Sequence, residues 1–571
     1  MNTLIHLVTV LLFLSSAFAD NLLITTTKGA VRGSTIKSAT GKAVDAWYGI
    51  PYAEKPIGDR RFKPPLPANS WEGIFETTSL PNACMQTIDT AFGEFSGANM
   101  WVANTPVSED CLYLNVVVPK PRPQNATVMV WIYGGGFYSG SSALNIYDHK
   151  TLVSEENVIV VSMQYRVASL GFLYFGNADV PGNVGFLDQV MALRWVQENI
   201  AAFGGNPKDV TIFGESAGAG SVAHHLLNPL SDNLFKRGIM QSGTILAPWA
   251  LQNQITAIER GLLLAKELGC PHDIETLSKT ISCLKKANAN EMVYAEQKIP
   301  LNGIVDFPFL PVEDGEVIVQ PLIKLAQKHF KQKDVMVGAN DDEGYYFLMY
   351  YFPHIFRNEE NITITYEDFV SVIRNSRNDK TELEIEAIIY EYTNWVNLND
   401  SEKNRNALDK VIGDQFFTCS TNDFADAYAE SDNSVYVYHY MQKSDKHYWP
   451  KWSGTLHADE VAFVFGEPMV KDRGYSREEV QFSKRLMKYW SNFAKTGNPN
   501  KPSDISRCNW PAYKLNKRTY INLEANRCST GVGGLRPKQC AFWRKFLPKL
   551  KDRKGDFQVN QSTGEKNCLS D

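Results

Sequence analysis

The chain has 571 residues, 44% of them hydrophobic, and a formal net charge of -5. That is enough apolar material for a full core, and the mild acidity excludes the basic footprint of a nucleic-acid partner. It leaves room for a locally negative cleft that gathers cations.

Residues 4–15 are mostly apolar, and Ala17-Phe18-Ala19 follows as an A-x-A cleavage pattern. No Lys or Arg precedes the run, yet residues 1–19 read as a secretory leader cut after Ala19. The run is too short for a membrane span, and no transmembrane segment is expected elsewhere. Residues 20–80 hold short β-rich segments. Apolar runs then predict strands over 113–118, 128–133, 158–165 and 210–213, and later over 238–243, 335–339 and 435–439. The run at 128–133 is unbroken, which suits a strand buried on both faces. Helical spacing marks 187–203, 257–268 and 477–496. Alternating strands and helices predict an α/β fold with a large, mainly parallel central sheet. With no internal repeat, residues 20–547 read as one domain, and 548–571 as a polar tail without stable structure of its own.

The chain carries nine cysteines, an odd number, so at least one is free or bonded to another chain. None forms a C-x-x-C pair, and neither a metal nor a cofactor is expected. Glycosylation triplets begin at Asn125, Asn361, Asn399 and Asn560, in keeping with secretion.

Chemistry concentrates at Thr211-Ile-Phe-Gly-Glu-Ser-Ala-Gly-Ala-Gly220. A strand, a G-x-S-x-G turn and a small-residue helix start make the nucleophile elbow, with Ser216 at its tip. A serine hydroxyl needs a base. His224 and His225 sit on the elbow helix itself, too near in sequence to approach from the far side, whereas His457 lies late in the chain in a loop. An acid is expected between Ser216 and His457. Asp341, Asp342 and Glu343, just past a strand end, all compete for that role. Gly134-Gly-Gly136 follows the strand at 128–133 and fits an oxyanion loop, with Gly135, Gly136 and Ala217 as backbone donors.

Several stretches together resemble the cholinesterase and carboxylesterase family, and the cholinesterases more closely. They include Phe95-Ser-Gly-Ala-Asn-Met-Trp101, Ser108-Glu-Asp-Cys-Leu-Tyr-Leu-Asn115, Trp131-Ile-Tyr-Gly-Gly-Gly-Phe137, Asp342-Glu-Gly344 and Phe463-Val-Phe-Gly466. The resemblance implies the α/β-hydrolase fold, with Ser216 as nucleophile, Glu343 as acid and His457 as base. It implies disulfides Cys84–Cys111, Cys270–Cys283 and Cys419–Cys540. Cys508 and Cys528 are left over and are expected to pair. Cys568 would then be available for an interchain disulfide in a homodimer, as in the family's dimeric members.

The same resemblance puts choline's quaternary ammonium on Trp101, whose indole face attracts a cation that has no N–H to donate. Glu215 adds negative charge beside it, and Tyr346 lines the same pocket. Asp89 and Tyr138 match residues at the mouth, and Trp249 and Phe347 match aromatics near the acyl group. The chain departs from the family's vertebrate pattern in three places. Thr87 replaces a rim tyrosine, Ala295-Glu-Gln-Lys298 lacks a rim tryptophan, and Val305 replaces one acyl-pocket phenylalanine while Phe307 keeps the other. A thinner rim site and a roomier acyl pocket are expected. The implied function is a secreted, extracellular serine esterase, synaptic in setting, that hydrolyses choline esters. A general carboxylesterase acting on neutral esters would make no use of a cation pocket. A non-catalytic adhesion protein of the neuroligin kind would lack a working nucleophile.

Overall fold

A computed structural model describes residues 21–318, 333–376, 378–430, 433–502 and 508–551. The expected leader, Asn560 and Cys568 lie outside the described residues.

Among the described residues eleven strands form the central sheet. In chain order they are β1 (Ser34–Lys37), β2 (Ala43–Pro51), β3 (Tyr113–Pro119), β4 (Ala126–Ile132), β5 (Ile159–Met163), β6 (Gly205–Glu215), β7 (Arg237–Gln241), β8 (Asp334–Asn340), β9 (Val435–Tyr440), β10 (Tyr520–Leu523) and β11 (Cys528–Gly531). Their spatial order is β11-β10-β9-β8-β7-β6-β4-β5-β3-β2-β1. Every ladder from β5 to β10 is parallel. The ladders at the two margins are antiparallel. Residues 128–132 of β4 are all buried, because helices cover both faces of the parallel centre.

Six helices bear on the site: α1 (Val184–Asn199), α2 (Ala217–Leu227), α3 (Tyr345–Tyr351), α4 (Ser401–Gly413), α5 (Asp459–Phe465) and α6 (Arg477–Thr496). α6 starts and stops where its sequence says it should. The Ser476 side chain caps the N–H of Glu479, whose carboxylate returns to the Ser476 N–H, and Gly497 ends the helix at φ 75°. Its Trp490 Nε1 donates to the Gln241 side chain at 2.9 Å, locking the helix beneath the end of β7.

The strands β10 and β11 escape the sequence reading because each is only four residues long, too short for a periodic signal to stand out. The last described helix, Leu547–Lys551, crosses the boundary expected at 547. Among the described residues no helix is long and apolar enough to cross a membrane. Among the described residues four disulfides join Cys84–Cys111, Cys270–Cys283, Cys419–Cys540 and Cys508–Cys528. The first closes a 27-residue separation that contains Thr87, Asp89 and Trp101. Loop-closure entropy makes such a crosslink worth roughly 3–4 kcal/mol. Asn125, Asn361 and Asn399 are exposed.

Candidate active site

β4, β6 and β8 deliver their following loops to one edge of the sheet, where ligands of parallel α/β folds gather. At the end of β6, Ser216 takes φ 55° and ψ -121°, a conformation ordinary residues avoid. The strain is held in place. The Ser216 N–H donates to the Gln241 carbonyl at 2.8 Å, and the Ser216 carbonyl accepts from Gly220 at 2.9 Å. Residue 218 must be glycine, because a Cβ there would sit 2.0 Å from the Ile132 carbonyl oxygen. This close crossing of α2 over β4 lifts the serine above the sheet edge.

The glycine loop follows β4. Gly136 has φ 60°, and a Cβ on it would meet the Phe307 ring at 2.6 Å. Among the described residues the N–H groups of Gly135, Gly136 and Ala217 have no acceptor, which leaves three donors open to a ligand oxygen.

The three competing carboxylates separate by what they face. Asp341 pairs with His439 at 3.2 Å and Asp342 with Lys410 at 2.8 Å, both partly exposed. Glu343 is wholly buried, accepts the Asn340 N–H at 2.7 Å, and meets His457 Nδ1 at 2.5 Å. The histidines separate likewise. His224 stacks on Phe186 at 4.1 Å. His225 sits between Ser231 and Gln189, at 2.8 Å from each. Burial holds both imidazoles below their ordinary range.

The other nitrogen of His457, Nε2, lies 3.0 Å from Glu215 Oε1. Neither atom makes an aligned hydrogen bond among the described residues, so the approach is ionic. Burial disfavours the charged imidazole, but Glu215 and Glu343 outweigh it and push His457 up to about 9. Glu215 is pushed up to about 8 by its own burial, opposed by His457 and reinforced by Glu460 and Glu343. Glu460, also buried, accepts from Gln241 at 3.0 Å and from Asn340 at 2.6 Å. Three buried carboxylates thus surround one imidazole.

A cavity of about 580 Å³ opens over this group. Its walls include Trp101, Gly135, Gly136, Tyr138, Glu215, Ser216, Phe307, Tyr346, Phe347 and His457. Three expected pocket residues stand behind the wall. Trp249 is buried, its Nε1 donating to the Phe416 carbonyl at 3.0 Å. Val305 is buried at φ 56°, an outlying conformation for a β-branched residue. Asp89 accepts the Tyr350 hydroxyl at 2.6 Å, and Tyr350 itself is a wall residue.

The structure adds wall residues that the sequence reading missed: Tyr147, Glu296, Tyr350 and Tyr351. Tyr350 had a signal, since it lies one helical turn past Tyr346 on α3, and the two rings are 4.9 Å apart. Phe417 stacks on Phe347 at 5.3 Å and lies 4.5 Å from the His457 ring, yet nothing local in its sequence marks it. The stretch around Glu296 and Gln297 reaches the wall, as does Thr87, without the aromatic rings that the family's vertebrate pattern carries there.

The arrangement supplies a cavity-lining hydroxyl on a strained turn, a carboxylate-bound imidazole and three open N–H donors. These are the parts that acyl transfer requires. The Carboxylesterase family model matches residues 20–543. An acetylcholinesterase of Bungarus fasciatus is 43% identical, covering 93% of this chain and 87% of that protein. A cholinesterase of Mus musculus is 44% identical, covering 95% and 89%. An acetylcholinesterase of Electrophorus electricus is 42% identical, covering 94% and 90%.

Proposed function

The chain belongs to the carboxylesterase family and is a serine carboxylic-ester hydrolase, and from that premise we propose that it hydrolyses acetylcholine, and other choline esters, to choline and the free acid. Ser216 Oγ attacks the ester carbonyl while His457 Nε2 takes its proton. Glu343 holds Nδ1 and stabilises the imidazolium. Gly135, Gly136 and Ala217 donate to the oxyanion. Choline leaves with a proton from His457, and water then repeats the sequence on the acyl-enzyme. The quaternary ammonium rests on Trp101 and Tyr346, with Glu215 as counter-charge.

The observation that carries this reading is that Trp101, Glu215, Ser216 and His457 line one cavity. A neutral ester would leave the indole face of Trp101 without a cation to hold. Two measurements test it. Acetylthiocholine is expected to turn over faster than a neutral naphthyl ester, and the reverse order would favour a general carboxylesterase. Ser216→Ala should abolish turnover and retain binding of a quaternary ammonium, whereas undiminished turnover would remove Ser216 from the mechanism.

Thr87 and Gln297 in the wall support a thin rim site, for which weak inhibition by propidium is expected. Val305 supports a roomy acyl pocket, for which butyrylthiocholine should react at a sizeable fraction of the acetyl rate. Four disulfides and the leader at 1–19 support secretion. Cys568 supports a disulfide-linked homodimer. Non-reducing electrophoresis should show a dimer that Cys568→Ser abolishes, and a monomer before any substitution would end that proposal.

A further inference from the structure

We propose that Lys410 and Asp342 form a clasp that sets the distance between Glu343 and His457, which makes Lys410 and Asp342 positioning residues for the ester hydrolysis. The inference rests on the roles of Glu343 and His457 given above.

Glu343 and His457 come from loops 114 positions apart, and something must hold those loops in register. Asp342 does so directly. Its N–H donates to the Thr455 carbonyl at 3.0 Å, and its Oδ2 accepts the Thr455 N–H at 2.9 Å. The acid turn is thereby stitched to the base loop two residues before His457. The stitch needs room. A Cβ on Gly454 would lie 1.9 Å from Asp342 Oδ2, so the neighbouring position is kept bare for this carboxylate.

Asp342 is in turn held from α4. Lys410 Nζ donates to Asp342 Oδ1 at 2.8 Å and to the Asp341 carbonyl at 2.5 Å, and lies 3.1 Å from Asp409 Oδ2. Asp409 closes the other side of the turn, its Oδ1 accepting the N–H groups of Gly344 at 2.8 Å and Tyr345 at 2.9 Å. One ammonium thus faces Asp341, Asp342 and Asp409 around the turn, and the His439 imidazole lies 3.2 Å from Asp341 on the far side. Without the ammonium the carboxylates repel, Asp342 loses its fixed direction, and the Glu343 carboxylate is free to drift from Nδ1. A displacement near 1 Å at reacting groups costs on the order of 10²-fold in rate. Neither residue lines the cavity, so the loss falls on kcat.

The test compares Lys410→Met, Lys410→Arg, Asp342→Asn and the Lys410→Met/Asp342→Asn double variant, in the full chain, with acetylthiocholine. Rates are normalised to active sites titrated with an organophosphate, so that misfolded protein drops out. Each single neutral variant is expected to lower kcat by about 10–100-fold with KM within twofold. Lys410→Arg should restore most of the rate. The double variant should lose little more than the worse single, because both act through one contact. Unchanged kcat per titrated site in either single variant overturns the clasp, as do losses that multiply in the double. Should Lys410→Met yield no folded protein, Asp342→Asn, which keeps its shape, reads the same contact from the other side. Glu343→Gln runs in parallel. If it retains turnover, the role of Glu343 is wrong. If it abolishes turnover while the clasp variants are normal, the clasp alone is wrong.

Discussion

At the floor of the cavity Ser216, Glu215 and the glycine loop stand on the ends of β4 and β6, and close backbone crossings hold each of them. At the mouth, Asp89 reaches the wall through one hydroxyl of Tyr350, and Thr87 and Gln297 present polar side chains without rings. The floor is specified several times over. Ser216 has backbone bonds on both sides, Gly136 fits against the Phe307 ring, and His457 is flanked by two carboxylates. The mouth is built from loops, crosslinked by the Cys84–Cys111 disulfide and tied to α3 by the Asp89–Tyr350 hydrogen bond and the Phe92–Tyr350 ring contact at 4.8 Å. The acyl-transfer parts therefore tolerate little change, while substrate entry can be retuned by a few side chains without disturbing them.

Four substitutions probe this contrast, from the largest expected effect to the smallest. Gly136→Ala forces a Cβ into Phe307 and turns away one N–H donor. It should lower kcat on every ester by about 10²–10³-fold, as loss of an oxyanion donor does. Activity near that of the parent protein would mean that the floor is less tightly specified than its contacts imply.

Trp101→Ala removes the indole face. A desolvated cation–π contact is worth about 2 kcal/mol, so kcat/KM for acetylthiocholine should fall by roughly 30-fold. A naphthyl ester should change by no more than about threefold, since it offers no cation. Equal losses on both would show that the tryptophan packs the floor rather than reading charge.

Glu215→Gln tests the ionic approach to His457. The base works as neutral imidazole, so activity rises with pH through its pKa, which the two carboxylates push up to about 9. Removing one of them destabilises the imidazolium. The acid limb of kcat/KM should therefore move to lower pH, by on the order of one unit. A limb that stays put, or moves up, would separate Glu215 from the base. The effect is confined to the acid side, where it amounts to about a tenfold gain in the active fraction.

Asp89→Asn, at the mouth, should raise KM for choline esters a few-fold at low salt and leave kcat alone. The difference should fade at high salt, because a partly exposed charge is screened. An effect on kcat would join mouth to floor and end the contrast.

Much of the floor could be read from the chain because its requirements are local. A strained turn needs Gly218 beside Ser216, and a strand buried on both faces is an unbroken apolar run, as at residues 128–132. The mouth was less legible. The Asp89–Tyr350 bond spans 261 positions, and the place of Phe417 beside His457 depends on how α4 and the residues after it fold back over α3. Trp249, Val305 and Asp89 stand one layer behind the wall, since matching a pocket residue by motif says nothing about which side chain finally faces the space.

By itself the sequence determined the sheet-centred α/β architecture, the elbow and the open glycine loop, because hydrophobic period and backbone sterics act over a few residues. Spacing alone left Asp341, Asp342 and Glu343 as equals, and only the family resemblance preferred Glu343. The tertiary structure shows the physical difference. Asp341 and Asp342 turn to His439 and Lys410, and Glu343 is buried against His457 from a loop 114 positions away. It also brought Glu215 to within 3.0 Å of the second imidazole nitrogen, which no spacing foretold. A carboxylate's chemistry is set by the charges and the solvent around it, and those are decided only when distant segments pack together.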